Sequence, residues 1–230
     1  MERLRASHVA VFGLGGVGSW CADALARTGV GELTLVDFDT VSASNINRQL
    51  FARTSTLGMA KTEAAREWLR DINPDIKVNA PCRKYEAASR EEFFTFNYGY
   101  IVDAIDLVSS KVDLIVSALE RGLPIISALG AGNKLNPNLL RVMDISETSG
   151  DGLARVMRRE LRKRGITNLT VVSSAEPEAE QRDYGAIAPD MPGESPPPGR
   201  RSVPGSVSWV TATAGMLLAW HVVRELTAGS

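Results

Sequence analysis

The chain has 230 residues, of which 44% are hydrophobic and 23% charged, which fits one large α/β domain with a sizeable core. Its formal net charge of −1 supplies no global attraction for nucleic acid, so any such binding has to come from a local patch. Cys21 and Cys82 are the only thiols; they exclude a disulfide framework or a four-cysteine zinc site within one chain and point to a reducing, cytoplasmic setting. The stretch 1–7 lacks an apolar signal core, and the longest apolar run, 209–223, is interrupted by Thr211, Thr213 and His221. It is shorter than the ~20 apolar residues a bilayer span needs, so no membrane association is expected.

A strand over 8–12 leads into Gly13, Gly15, Gly16 and Gly18, and helical character over 17–28 ends at Gly29 and Gly31. A second strand over 32–36 delivers Asp37 at its carboxyl edge, the βαβ order in which ligands sit outside the carboxyl ends of parallel strands. An amphipathic helix over 56–71 starts near Gly58 and stops at Asn73 and Pro74. Next come a strand over 76–81, a helix over 89–96 and a fourth strand over 100–104 with Asp106 just beyond it. A helix over 108–121 and a fifth strand over 124–129 run into the turn of Gly130 and Gly132. There the alternation fades: 135–139 reads as a turn joining two antiparallel segments, the second over 140–145. A basic helix over 153–164 and a β-branched strand over 169–173 precede an aperiodic Glu-, Pro-, Gly- and Arg-rich stretch over 176–204, expected to be a mobile loop. The closing segment, 206–226, reads as a long apolar helix with threonines and Gly215 on its surface, suited to packing on the sheet or on a second subunit. The expected fold is α/β, a Rossmann-like, mainly parallel sheet flanked by helices and extended by antiparallel pairing toward the C-terminus. A single domain is expected, with its nucleotide-binding part over 1–132 and the remainder over 133–230.

The glycine spacing has a physical reason. Gly13 allows the tight turn off the strand, Gly15 and Gly16 leave room for phosphates at backbone N–H groups, and Gly18 lets the helix pack closely on the strand. Asp37 stands where a carboxylate holds ribose hydroxyls. So far any nucleotide or dinucleotide fits. The next block decides between them, because Ser44, Asn45, Arg48 and Lys61 supply donors suited to a triphosphate and Asp106 is placed to hold Mg²⁺. A dinucleotide oxidoreductase would use Gly13 to Asp37 and leave the residues of that block unused, so ATP is expected rather than NAD. No GxxxxGK[ST] stretch occurs, which excludes a P-loop enzyme transferring the γ-phosphoryl group.

Over roughly 8–132, the blocks GxGGVGS, DxDxVxxSNxNRQ, GxxK and the fourth-strand aspartate resemble the adenylating superfamily of ubiquitin-activating, ThiF, MoeB and HesA proteins. Asn47 in the SNxNRQ block, the stretch 103–111, the turn 130–132 and the late stretch 210–215 most resemble the branch that dehydrates threonylcarbamoyladenosine in tRNA. The resemblance implies ribose binding by Asp37 and Asp39, a nucleotide close to Gly15 and Gly16, phosphates held by Asn45, Arg48 and Lys61, and Mg²⁺ on Asp106. It implies that ATP activates the threonylcarbamoyl carboxylate and that the acyl-adenylate closes on its own urea group. It further implies a homodimer, leaves room for a sulfur-relay protein partner, and assigns to an N-terminal arginine, here Arg3 or Arg5, a reach toward the partner subunit's ATP. MoeB-type relatives carry two CxxC zinc pairs that this chain lacks. Where some members carry a cysteine in the late loop, Arg200, Arg201 and Ser202 stand here, and Cys21 and Cys82 read as core or edge thiols, against a thioester intermediate. The competing reading within the superfamily is adenylation of the C-terminal Gly-Gly of a ubiquitin-like sulfur carrier.

Arg155, Arg158, Arg159, Arg162, Lys163 and Arg164, joined by Arg200 and Arg201, form the candidate phosphate track for tRNA. Spread over more than one helical face, the same cations equally fit a solvated surface helix. His8, His221, Trp20, Trp68, Trp209 and Trp220 read as packing or interface residues rather than catalytic or base-stacking ones.

Overall fold

The computed structural model describes residues 1–177 and 205–228; Arg200, Arg201 and nearly all of the expected loop lie outside the described residues. Seven strands form one sheet: β1 (His8–Phe12), β2 (Glu32–Val36), β3 (Lys77–Asn79), β4 (Tyr100–Asp103), β5 (Ile125–Ala128), β6 (Leu140–Asp144) and β7 (Thr170–Ser174). Their order across the sheet is β3-β2-β1-β4-β5-β7-β6. The helices are α1 (Glu2–Arg5), α2 (Gly18–Arg27), α3 (Lys61–Ile72), α4 (Val108–Glu120), α5 (Gly152–Arg162) and α6 (Ser208–Thr227). The inner strands are apolar on both faces because helices cover both. Val9 and Val11 of β1 enter a core with Leu25 of α2, Leu69 of α3 and Leu218 of α6. Ala10 and Phe12, pointing the other way, meet Ile115 of α4 and Met157 of α5.

The parallel half follows the sequence pattern, with boundary changes that have local causes. The helix expected over 56–71 begins only at Lys61, because Gly58 takes φ +82° and Ala60 is extended, bridged to Thr40. The third strand shortens to three residues, and the segment expected to be helical over 89–96 is a 3-10 turn over Ala87–Phe93.

One pairing differs from expectation. The strand after the 135–139 turn does not lie beside β5; β7 pairs parallel with β5, Ser127 opposite Val171, and β6 lies antiparallel to β7 at the edge, Val142 opposite Val172. The segment Pro137–Leu139 is a 3-10 turn capped by the Asn136 side chain rather than a hairpin. Val171 and Val172 fill opposite cores, so β7 needs cover on both faces, which an inner position provides; β6, with Arg141 exposed, suits an edge. Gly215, expected on the surface of α6, is instead where α6 crosses α2: a Cβ there would lie 2.6 Å from the Val17 carbonyl oxygen and 2.7 Å from the Trp20 Cβ. Among the described residues no helix is long and apolar enough to cross a membrane.

Candidate nucleotide site

The carboxyl ends of β2, β1 and β4 stop level with one another, with the Gly13 N–H donating to the Val36 carbonyl at 2.8 Å and the Ala104 N–H to the Phe12 carbonyl at 2.8 Å. The site is built on these three ends. Gly13 has φ +90°, and a Cβ on it would stand 2.6 Å from the Ala104 carbonyl oxygen, so only glycine fits between β1 and the turn after β4. A Cβ on Gly18 would collide with the Gly13 carbonyl oxygen, and one on Gly16 would press on the Thr211 Cγ2 of α6 at 3.0 Å. Gly15 differs: among the described residues no atom lies within 4 Å of its would-be Cβ. Three of the four glycines are needed for packing, and one opens the surface for a ligand at the start of α2, where free N–H groups favour an anion.

Asp37, buried at the end of β2, accepts the Leu14 N–H at 2.6 Å and the Asp39 N–H at 2.9 Å. These bonds lock its carboxylate to the glycine turn. Lys61 opens α3, a helix end that by itself favours anions over cations. Its ammonium is accommodated by carboxylates, 2.7 Å from Asp39 Oδ2 and 4.0 Å from Asp37 Oδ1. Thus Asp39, read from the sequence as a ribose ligand, is in this structure the partner of Lys61.

The loop after β2 carries the second cation. Arg48 donates to the Ser44 carbonyl at 2.6 Å and to Asn47 Oδ1 at 2.9 Å, and burial holds its guanidinium below the ordinary arginine value, though still a cation. Asn45 is buried, and its Oδ1 accepts the Ser42 N–H at 3.2 Å, so it shapes the loop that presents Ser44 and Arg48. Helices α2 and α6 fix this loop from behind. The Trp20 indole and the Thr211 hydroxyl donate to the Arg48 carbonyl at 3.1 and 3.4 Å, the Leu50 N–H donates to Ser19 Oγ at 3.1 Å, and the Asn47 amide donates to the Ser206 carbonyl at 3.0 Å. The supporting roles of Trp20, Thr211 and Ser19 have no local sequence signal, because they exist only once the last helix has packed on the first.

Asp106 is exposed on the turn after β4. Behind it sits a pair to which the motif pattern assigned no role. Lys111 Nζ stands 2.7 Å from Asp103 Oδ2, both side chains fully buried. Among the described residues no set of three or more His, Cys, Asp or Glu is gathered to hold a metal. A magnesium ion on Asp106 would take its remaining ligands from phosphate oxygens and water, the donor set that Mg²⁺ prefers.

The other expected residues separate. On α5, Glu160 lies 2.9 Å from Lys163 and 3.2 Å from Arg159, contacts that hold its carboxyl below the usual range, and 3.5 Å from Arg164. Arg158 turns inward to the Thr148 carbonyl at 2.7 Å, leaving Arg155 and Arg162 exposed one above the other on the helix. Arg3 reaches the Thr227 carbonyl at 3.4 Å, and the Arg5 carbonyl packs on Gly31, which immediately precedes β2. Burial pushes the Cys21 thiol up, so it is no nucleophile at neutral pH. Cys82 is exposed, 3.9 Å from the Phe38 carbonyl. His8 bonds Thr34 at 2.8 Å and His221 bonds the Tyr100 hydroxyl at 3.0 Å, both packing roles.

An anchored aspartate beside an open glycine, with a lysine and an arginine close by, fits a nucleotide-binding α/β protein of the adenylating kind that the sequence resembles. The chain belongs to the ThiF family, whose pattern matches residues 1–228. It is 38% identical to a tRNA threonylcarbamoyladenosine dehydratase of Bacillus subtilis, over 98% of this chain and 89% of that protein. The crystal structure of the Escherichia coli tRNA N6-threonylcarbamoyladenosine dehydratase, TcdA, in complex with ATP matches with a TM-score of 0.85 at 32% identity, covering 99% of this chain and 88% of that one. The same enzyme in complex with AMP matches with a TM-score of 0.84 at 31% identity and the same coverage.

Proposed function

We propose that the chain is an ATP-dependent tRNA threonylcarbamoyladenosine dehydratase, adenylating the carboxylate of N6-threonylcarbamoyladenosine in tRNA and cyclising it with release of AMP and pyrophosphate. The observation that carries the reading is the near full-length likeness to dehydratases, one of them in complex with ATP, joined to an open Gly15 whose neighbour Gly16 lies by Arg48 and to Asp37 with Lys61 4.0 Å away. Asp37 binds the ribose through the lone pairs left beside its two backbone bonds. Ser44, Asn45, Arg48 and Lys61 hold the phosphates, Lys61 moving between Asp39 and the incoming charge. Asp106 holds Mg²⁺, which offsets charge on the phosphates when bound.

In the first step a carboxylate oxygen of the substrate attacks the α-phosphorus. A phosphorus–oxygen bond forms, the α–β anhydride bond breaks, and pyrophosphate leaves with the electron pair. Arg48 and Lys61 stabilise the charge that accumulates on the leaving phosphates. In the second step the urea group closes on the acyl carbon, giving up a proton, and AMP departs. That step is intramolecular and needs orientation above all. The chain works as a homodimer, with the exposed Trp209, Met216 and Trp220 of α6 buried against a second copy.

The decisive measurement is ATP-to-AMP turnover with modified tRNA, unmodified tRNA and a ubiquitin-like carrier in parallel. Turnover with modified tRNA alone is the expected result; turnover driven only by the carrier would overturn the reading. Sedimentation at micromolar concentration should show a dimer, and a monomeric mass would remove that part of the proposal.

A further inference from the structure

The turn that presents Asp106 is held by a sealed group of side chains whose place in the fold exceeds what strand pairing needs. Asp103 closes β4, and its Oδ2 lies 2.7 Å from Lys111 Nζ on α4 and accepts the Ser127 hydroxyl of β5 at 2.6 Å. Its other oxygen accepts the Ile105 N–H at 3.1 Å, while Lys111 Nζ also donates to the Ile105 carbonyl at 2.9 Å. Both peptide groups of Ile105, the residue immediately before Asp106, are therefore tied to one buried ion pair. The same turn passes under the glycine loop, since the Ala104 carbonyl is what forbids a side chain at Gly13. Asp103, Lys111 and Ser127 are all completely buried, so no solvent competes for the bonds among the three. A buried lysine–aspartate pair is costly to desolvate and is weak evidence for stability alone. What it does provide is a fixed backbone direction at one residue.

We propose that Asp103, Lys111 and Ser127 are positioning residues that set where the Asp106 carboxylate stands, and so set how strongly a divalent cation and ATP reinforce each other's binding. The proposal rests on the reading of Asp106 as the Mg²⁺ ligand. Ser127 is the informative member, because its loss removes one hydroxyl donor while the Lys111–Asp103 pair keeps its own contact.

The test compares ATP affinity by calorimetry in excess Mg²⁺ and in EDTA, the ratio of the two being the coupling between metal and nucleotide. Asp106→Asn should collapse the ratio toward one. Ser127→Ala should lower it by roughly fivefold with metal-free ATP affinity unchanged, and Ser127→Thr, which keeps the hydroxyl, should restore it. Ser173→Ala, at a buried serine of β7 whose hydroxyl has no hydrogen-bond partner among the described residues, controls for a general effect on the sheet and should leave the ratio alone. A wild-type ratio in Ser127→Ala beside a collapsed one in Asp106→Asn overturns the positioning role, as does an equal change in Ser173→Ala. A wild-type ratio in Asp106→Asn overturns the metal reading itself.

Discussion

Two lysine–aspartate pairs stand on either side of β1, one at the end of β2 and one at the end of β4, and their bond lengths are the same. Lys61 lies 2.7 Å from Asp39 and Lys111 lies 2.7 Å from Asp103. They differ in access. The Asp39 side chain is 48% exposed, so water or a phosphate can replace it on the ammonium; both members of the other pair are 0% exposed. Exchange in the first pair costs little, because an exposed carboxylate released from its partner is solvated again. In the second it would leave a charge in the core. Identical chemistry is therefore open to exchange in one place and sealed in the other, and accessibility makes the distinction.

The largest effect should come from breaking the sealed pair on one side. Lys111→Met is expected to lower urea-unfolding stability by about 3–5 kcal/mol, with much of that loss recovered when Asp103→Asn is added. A loss below about 1 kcal/mol would erase the distinction between the pairs. Lys61→Ala should do the opposite: AMP formation falls by about 100-fold, ~2.7 kcal/mol of barrier, while stability changes by less than about 1 kcal/mol. Equal losses of stability in the two variants would mean that Lys61 is scaffold too. Cations that are exposed on the helix surface form a third case. Arg155→Glu with Arg162→Glu should weaken binding of modified tRNA and make the slope of log affinity against log salt shallower by about two, with ATP affinity untouched; unchanged tRNA binding would leave α5 as a solvated surface.

The smallest effect concerns a titratable group buried without a carboxylate in contact. Burial lowers the His221 pKa below its ordinary value, with Arg224 adding to this and Glu225 opposing it. The folded state then takes up its proton less readily than the unfolded one. Stability is full above the unfolded value, about 6.5, and is lost as pH falls from there through the lower folded value. His221→Gln should flatten urea midpoints measured between pH 7 and 5.5, though only in part, because His8 is shifted in the same direction. An unaltered pH dependence in that variant would show that the histidine contributes nothing.

The parallel half was legible because β1, β2 and β4 are short, mostly apolar runs, β1 followed by Gly13, β2 by Asp37, and β4 closing on Asp103. Asp37 could be read at a strand end from its spacing after the glycines, whereas Lys61 was named for its charge and through the GxxK block of the resemblance. What could not be read were contacts that join distant segments. Spacing treats Gly15 and Gly16 alike, yet one opens to space and the other bears on Thr211, a residue far along the chain. The insertion of β7 between β5 and β6 depends on which strand has both faces covered, and a sequence window of a few residues does not contain that information. Lys111 lies in a stretch that marks the dehydratase branch, but its burial against Asp103 follows from the docking of α4 on the sheet.

Helix α6 gives the chain an order of assembly. Helix α2 and the loop that carries Arg48 emerge early in synthesis, but the hydrogen bonds from Thr211 and to the Ser206 carbonyl that steady that loop come from a segment made about 160 residues later. At roughly 5–20 residues per second the ribosome leaves the half-built nucleotide site waiting on the order of ten seconds or more. Chains released without α6 should fail to be retained on immobilised ATP, whereas chains that carry it bind. Helix α6 thereby ties the order of the Arg48 loop to a segment synthesised well after it.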